Sequence, residues 1–152
     1  MWLWRNQALE IKLGSGVDSI LFGNTEQQVI ALLGNPDKTF FTDEENKRLQ
    51  FNELLVELSF ETENDHRLGW IEVHNKNVTI FGHQLIGKSM PEVLSILRME
   101  LDTEPTIDDY GSFVSVIFEK EWLELQFSFN KLTNINFGVL YGENDEPEWP
   151  AT

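Results

Sequence analysis

Two stretches of the chain carry apolar residues at helical spacing. Residues 20–36 read ILFGNTEQQVIALLGNP, and residues 84–97 read QLIGKSMPEVLSIL. In each stretch an apolar run leads to a glycine and then to a hydroxyl residue. Apolar residues follow at the i, i+3, i+4 spacing that places side chains on one face of a helix. The pattern therefore predicts two short amphipathic helices.

Both predicted helices begin with a capping box. Gln28 follows Thr25 by three positions, and Glu92 follows Ser89 by three. In this motif the hydroxyl oxygen accepts a hydrogen bond from a free N–H of the first turn, while the later side chain reaches back to the cap. Gly34, with a proline soon after it, predicts the end of the first helix. The second helix lacks such a glycine and is predicted to continue to about residue 100.

Apolar and polar residues alternate after each helix, as in strands with one buried face. Residues 50–60 align with residues 117–127, a shift of 127 − 60 = 67, and residues 67–73 align with residues 131–137, a shift of 131 − 67 = 64. The chain is therefore predicted to be an α+β fold. It would be a tandem repeat of a helix plus a three-stranded antiparallel sheet, with the helices packed on one face.

The repeat predicts the organisation of the chain. A first repeat with a leading N-terminal strand would span residues 1–75, and the second would span residues 78–141. Residues 142–152 would form an acidic tail containing proline and tryptophan. The linker between the repeats is short and polar, so we expect one compact unit rather than independent domains.

The segment FGNTEQQVIALLGNP resembles a motif shared by the beta-lactamase inhibitor protein and the small outer-membrane lipoprotein of the barrel-assembly machinery, and many uncharacterised bacterial proteins look similar. The matching positions are Gly23, Thr25, Val29, Leu33, Gly34 and Pro36, and again Gly87, Ser89, Val93 and Leu97. The resemblance implies a scaffold that binds other proteins through its sheet, as an inhibitor or immunity protein does. The motif does not include the enzyme-contacting residues of the inhibitor, so inhibition of a beta-lactamase is not implied. Those families are exported and the inhibitor has disulfides, whereas this chain has no cysteine.

The charge narrows the choice of partners. Eleven basic and 26 acidic residues give a net charge of −15. Nucleic acid is disfavoured as a partner because phosphate contacts need lysine and arginine. A basic protein would be attracted, although the charge also serves solubility. The N-terminal apolar run is broken at Arg5, and no stretch is long enough to span a membrane. We therefore expect a cytoplasmic protein without a membrane partner.

Alternation also separates the two faces of the predicted sheet. One face carries apolar rows such as Val56, Leu58 and Phe60, which should lie beneath the helices. The other face is predicted to bind the partner through tryptophans among carboxylates, because aromatic residues anchor many interfaces. Its predicted binding residues are Leu55, Glu57, Trp70, Glu72, Trp122, Glu124 and Gln126. In the alternative interpretation, the tryptophan-containing terminal segments cover this face.

Catalytic chemistry finds little support in the sequence. Without cysteine there is no thiol nucleophile or cysteine zinc site, and the three histidines lack ligand spacing. No catalytic residue, metal ligand or cofactor is therefore predicted. Residues 82–89 read GHQLIGKS, a literal P-loop pattern, but bulky apolar residues stand between its glycines and no parallel α/β sheet is predicted around it. The leading interpretation is a non-enzymatic protein-binding protein of the inhibitor or immunity type. A structural or assembly module is one alternative, and nucleotide binding through Gly82–Ser89 is another.

Overall fold

The computed structural model describes residues 9–42 and 45–150. In this part of the chain, twelve strands form a four-stranded and an eight-stranded sheet, accompanied by two α-helices. The small sheet consists of β1 (Glu10–Lys12), β2 (Gly16–Val17), β3 (Ile20–Leu21) and β8 (Thr79–Ile80), in the order β3-β2-β1-β8. Strand β8 joins it by parallel pairing with β1.

The eight-stranded sheet is antiparallel throughout. Its strands are β4 (Lys38–Phe41), β5 (Lys47–Phe51), β6 (Val56–Glu61), β7 (Arg67–Val73), β9 (Thr106–Asp109), β10 (Val114–Phe118), β11 (Leu123–Ser128) and β12 (Lys131–Gly138). Their order is β4-β5-β6-β7-β12-β11-β10-β9, so β7 and β12 lie side by side at the centre. Helix α1 (Glu26–Leu33) precedes β4 in the chain, and helix α2 (Met90–Glu100) precedes β9.

The prediction of an α+β tandem repeat of a helix plus three strands is wrong. The fold is rich in β-structure, and each helix is followed by four antiparallel strands of the large sheet rather than three. The strands missed in that sheet are its two edges, β4 and β9, whose side chains are largely exposed. Short edge strands protect a sheet against pairing with other chains, and strands exposed on both faces lack the alternating pattern that reveals an inner strand. Strands β2 and β3 have two residues each, too few for any alternation to show.

Both predicted helix starts are confirmed. Gln28 N–H donates to Thr25 Oγ1 at 3.2 Å, and Thr25 N–H donates to Gln28 Oε1 at 2.8 Å. Glu92 N–H likewise donates to Ser89 Oγ at 3.4 Å, and Ser89 N–H donates to Glu92 Oε1 at 3.3 Å. Helix α1 ends at Gly34, whose φ of 85° is in the range that favours glycine.

The glycine before each helix ties the helix to the large sheet. Gly23 N–H donates to the carbonyl of Leu68 at 2.9 Å, and Gly87 N–H donates to the carbonyl of Leu132 at 2.8 Å. These glycines have φ values of 95° and 97°, which side-chain-bearing residues rarely adopt. The two bonds attach the start of each helix to the beginning of a central strand, β7 or β12.

The core lies on one face of the eight-stranded sheet. The predicted apolar row of Val56, Leu58 and Phe60 is buried there. Residues from both helices and from the small sheet join the same buried cluster, among them Val29, Leu33, Val93, Leu97, Val17 and Ile80. The opposite face of the large sheet, which we call the open face, carries the alternate side chains of these strands.

Candidate binding face

The open face has a row of side chains that crosses all eight strands. The register aligns Lys38, Gln50, Glu57, Glu72, Asn136, Glu124, Ile117 and Thr106. Three of the predicted binding residues, Glu57, Glu72 and Glu124, therefore share one line near the middle of the face. Only one lysine stands in this row, at the edge strand, so its centre is acidic.

Basic side chains of the chain itself already pair with the carboxylates on β6 and β7. Arg48 Nη1 lies 2.8 Å from Glu57 Oε1 and 3.8 Å from Glu72 Oε1. His74 Nε2 lies 2.6 Å from Glu72 Oε2. This hydrogen bond holds the pKa of Glu72 below its usual value and raises the pKa of His74. Glu57 and Glu72 are thus bound within the protein.

The carboxylate on β11 has a neutral partner instead. Ser115 Oγ–H donates to Glu124 Oε2 at 2.6 Å. Beside it, Asn134 Nδ2 donates to Gln126 Oε1 at 3.3 Å, and Asn136 Nδ2 donates to Asn134 Oδ1 at 2.8 Å. A hydrogen bond from a hydroxyl leaves the charge of Glu124 in place, so the middle of the open face keeps a negative charge at β11.

Leu55 and Trp122 lie in turns just before their strands. Leu55 precedes β6 with a φ of 54°, and Trp122 precedes β11 with a φ of 55°. Leu55 borders a cavity of about 280 Å³ together with Glu57 and His74. Both apolar side chains are substantially exposed, at 48% for Leu55 and 42% for Trp122. They occupy the rim of the open face rather than its centre.

The two predicted tryptophan anchors meet in the structure. Trp70 and Trp122 make an edge-to-face contact, with ring centroids 6.2 Å apart and planes at 82°. The contact depends on Gly138, because a Cβ at that position would lie 2.6 Å from both Trp122 Cδ1 and Trp70 Cε3. This role of Gly138 was not predicted from the sequence. A glycine inside or at the end of a strand is the signal that a close approach of side chains leaves in a sequence.

A partly buried carboxylate, that of Glu61, lies beside the tryptophan pair. Glu61 packs so closely against Gly69 that a Cβ there would collide with Glu61 Oε1. Asn64 Nδ2 donates both to Glu61 Oε1 at 3.3 Å and to the hydroxyl of Tyr141 at 2.8 Å. Burial raises the pKa of Glu61 above its usual value, and the hydrogen bond from Asn64 opposes that shift. Glu61, Asn64 and Tyr141 were not predicted as site residues, because 77 positions separate Asn64 from Tyr141.

These side chains surround a cavity of about 420 Å³, which we call the aromatic groove. Its lining consists of Glu61, Glu63, Asn64, Gly69, Trp70, Trp122, Tyr141 and Asp145. Trp122 and Tyr141 also border a second cavity of about 350 Å³, and Lys120 is among the residues that line it. The aromatic groove combines three aromatic rings with three carboxylates and has no basic residue in its lining.

The C-terminal tryptophan does not cover this groove. The segment after β12 forms a turn closed by pairing of Tyr141 with Pro147, which brings Tyr141 to the groove wall. Trp149 packs instead against the buried core, with the guanidinium carbon of Arg67 5.9 Å from its ring centroid. The N-terminal tryptophans, which were the other predicted cover, lie outside the described residues.

The P-loop-like segment, residues 82–89, is held in the fold by backbone hydrogen bonds and by one buried side chain. Leu85 is fully buried in the core. Gly87 N–H donates to Leu132 at 2.8 Å, and Lys88 N–H donates to Leu85 at 3.0 Å. A phosphate-binding loop needs such amides to point at its ligand, and these two already have carbonyl partners.

Within residues 9–42 and 45–150, no three histidine, aspartate or glutamate side chains are grouped so that they could hold a metal ion. Neither α1 nor α2 has the length and apolar composition required to cross a membrane.

No protein-family model and no curated protein matches the sequence. Two solved structures resemble the fold. One is an extracellular protein containing a SCP domain from Bacillus anthracis, with a TM-score of 0.56 and 12% identity, matched over 88% of this chain and 49% of that one. The other is a DUF4309 family protein, YjgB, from Bacillus subtilis, with a TM-score of 0.53 and 15% identity, matched over 83% of this chain and 88% of that one.

These likenesses concern the fold alone. The chain spans about half the length of the extracellular protein and most of the DUF4309 protein. Neither match bears on the resemblance to the beta-lactamase inhibitor family, which stays a prediction from the sequence motif.

Proposed function

We propose that this protein is a non-enzymatic binding protein that docks a basic protein on the open face of its eight-stranded sheet. The observation that carries the proposal is the Trp70–Trp122 pair, which lies at one end of that face beside the carboxylate of Glu61. Partly exposed tryptophans are the side chains on which protein interfaces most often depend for affinity.

The charge distribution supports a basic partner. The chain has a net charge of −15, which attracts cationic proteins and speeds their encounter. On the open face, Arg48 and His74 pair with Glu57 and Glu72, whereas Glu124 is hydrogen-bonded to a hydroxyl. Glu124, two residues after Trp122, and the three carboxylates that line the aromatic groove with Trp122 therefore bring acidic and aromatic contacts together.

The test begins with affinity capture from the native host, using the wild-type protein and the Trp122→Ala variant. A captured protein is identified by mass, purified and titrated by calorimetry. We expect Trp122→Ala to weaken binding by about 2 kcal/mol or more, as for an aromatic anchor of a protein interface. Glu124→Lys should slow association, most strongly at low salt.

A matched control uses another exposed aromatic residue. Phe41 is 67% exposed on edge strand β4, and the alternation from Phe40 places it on the face opposite to Arg48. Phe41→Ala should leave the affinity unchanged. The proposal fails if Trp122→Ala and Glu124→Lys both bind the partner as the wild type does.

A further inference from the structure

The aromatic groove has a pre-formed aromatic wall. Gly138 lets the rings of Trp70 and Trp122 come together, and their planes stand at 82° to each other. An indole ring face attracts cations more strongly than any other aromatic side chain does. Because Trp122 is 42% exposed, the wall remains accessible from solvent.

The groove also has a carboxylate whose position is fixed. Glu61 lies against the backbone at Gly69, and Asn64 bonds its Oε1 at 3.3 Å. No donor among the described residues bonds Glu61 Oε2. Asn64 is itself held by Tyr141 at 2.8 Å, so the acid, the amide and the phenol form one connected wall. An orientated, partly desolvated carboxylate binds a cation more strongly than a freely solvated one.

The ionisable residues that line the groove are all acidic, although the guanidinium of Arg48 on the neighbouring strand β5 acts electrostatically on Glu61. Glu63 and Asp145 add to the negative charge of Glu61, and the lining contains no lysine, arginine or histidine. Arg67, which pairs with Glu61 across the strands, directs its guanidinium to the ring of Trp149 instead. A cation is therefore the complementary occupant.

Among cations, the guanidinium of arginine suits this arrangement better than the ammonium of lysine. It is planar, so it can lie against an indole, and its paired N–H groups match the two oxygens of a carboxylate. The ammonium of lysine is compact and more strongly hydrated. The molecule already makes one arginine–tryptophan contact of this kind, between Arg67 and Trp149 at 5.9 Å.

We propose that the aromatic groove receives an arginine side chain of the partner protein, with the guanidinium against Trp70 and Trp122 and its N–H groups directed to Glu61. This inference rests on the proposed function, because the basic partner supplies the arginine. It identifies the contact through which the open face would recognise that partner.

The test is an NMR titration of the ¹⁵N-labelled full chain with the blocked tripeptide acetyl-Gly-Arg-Gly-amide. The indole N–H signals are assigned with Trp70→Phe and Trp122→Phe variants. We expect these two signals to shift in a saturable way. The matched peptide with citrulline, which has nearly the same shape but no charge, should bind at least about tenfold more weakly. Equal binding of the arginine and citrulline peptides, or of arginine and lysine peptides, would overturn the assignment of arginine.

A pair of charge variants separates the groove from the overall charge of the protein. Glu61→Gln should weaken the binding of the arginine peptide by about tenfold. Glu100→Gln removes the same charge at an exposed position of α2 and should change the affinity less than about twofold. Equal losses in the two variants would show that the peptide responds only to net charge and would overturn the proposal.

The two proposals fail in different ways. If the captured partner depends on Trp122 but the arginine peptide moves neither indole signal, the groove assignment is wrong and the binding function stands. If the peptide binds in the groove but no partner depends on Trp122, the proposed function is wrong and the arginine site stands.

Discussion

Trp70 and Trp122 come from opposite halves of the eight-stranded sheet and meet above Gly138, with their ring centroids 6.2 Å apart. Trp70 lies on central strand β7, and Trp122 lies in the turn that leads into β11. Gly138, at the end of β12, pairs directly with Trp70 across the strands. The missing side chain at one position thus brings two distant tryptophans together and creates the wall of the aromatic groove.

The first prediction tests this dependence on Gly138. In Gly138→Ala the new Cβ would stand 2.6 Å from both rings, so the rings must separate. We expect a loss of the Trp–Trp signal in near-ultraviolet circular dichroism, weaker binding of the arginine peptide, and a stability cost of about 1–3 kcal/mol from overpacking.

Gly142→Ala is the control for that substitution. A Cβ at Gly142 would meet Glu148 at 3.4 Å, which is an ordinary contact. This variant should retain the circular dichroism spectrum of the wild type. Retention of the same spectrum by Gly138→Ala would contradict the described packing of the tryptophan pair.

The second prediction concerns the cost of burying Glu61. Burial raises its pKa above the usual value of 4.5, so the folded state holds this proton more tightly than the unfolded state does. The penalty is therefore absent at a pH below 4.5 and grows as the pH rises through the raised pKa. Urea unfolding should show that Glu61→Gln gains stability relative to the wild type between about pH 4 and pH 7. A relative loss of stability over that range would mean that the ionised carboxylate is stabilised in the folded protein.

The third prediction concerns His74 and Glu72. The hydrogen bond between them raises the pKa of His74 above 6.5 and lowers that of Glu72 below 4.5. The contribution of His74 to the free energy of unfolding is complete below pH 6.5 and is lost as the pH rises through its raised pKa. The contribution of Glu72 is lost as the pH falls through its lowered pKa. Because His74 is 43% exposed, we expect an effect of less than about 1 kcal/mol.

The measurement for this pair is chemical unfolding between about pH 6 and pH 9. The wild type should lose stability as the pH rises through this interval, and His74→Gln should remove that part of the slope. His83→Gln, at a histidine exposed in the turn after β8, is the control and should keep the slope. A slope that persists unchanged in His74→Gln would exclude the pair as its source.

The fourth prediction separates the two faces of the sheet. Leu125 is fully buried, and Leu125→Ala should cost about 2–5 kcal/mol as a core truncation. Trp122→Ala should cost about 1 kcal/mol, since it loses mainly the edge-to-face contact with Trp70. Thermal or urea unfolding measures both. A larger loss for Trp122→Ala than for Leu125→Ala would reverse the assignment of the core and open faces.

The sequence was sufficient for features that depend on neighbouring residues. The capping boxes at Thr25 and Ser89 and the buried row that includes Leu58 follow from local spacing, and the structure confirms them. The fold class did not follow, because edge strands β4 and β9 have four residues each and are largely exposed, so they show no alternating signature.

The candidate site was predicted only in part. Trp70 and Trp122 were identified as anchors from their positions beside strand carboxylates, but their mutual contact depends on Gly138. The wall formed by Glu61 and Tyr141 joins distant parts of the chain through Asn64. Such contacts depend on strand register and on a terminal turn, which periodicity in one sequence does not encode.

The central claim is that a basic protein docks on the open face, and hydrogen–deuterium exchange of the full chain with and without its captured partner tests this most directly. We predict that the partner slows exchange in residues 59–72 and 120–126, which carry Trp70, Trp122 and Glu124 on or beside the open face. Exchange in helices α1 and α2, which pack on the opposite face, should not change. Protection confined to the helices, with none around Trp70 and Trp122, would contradict the account.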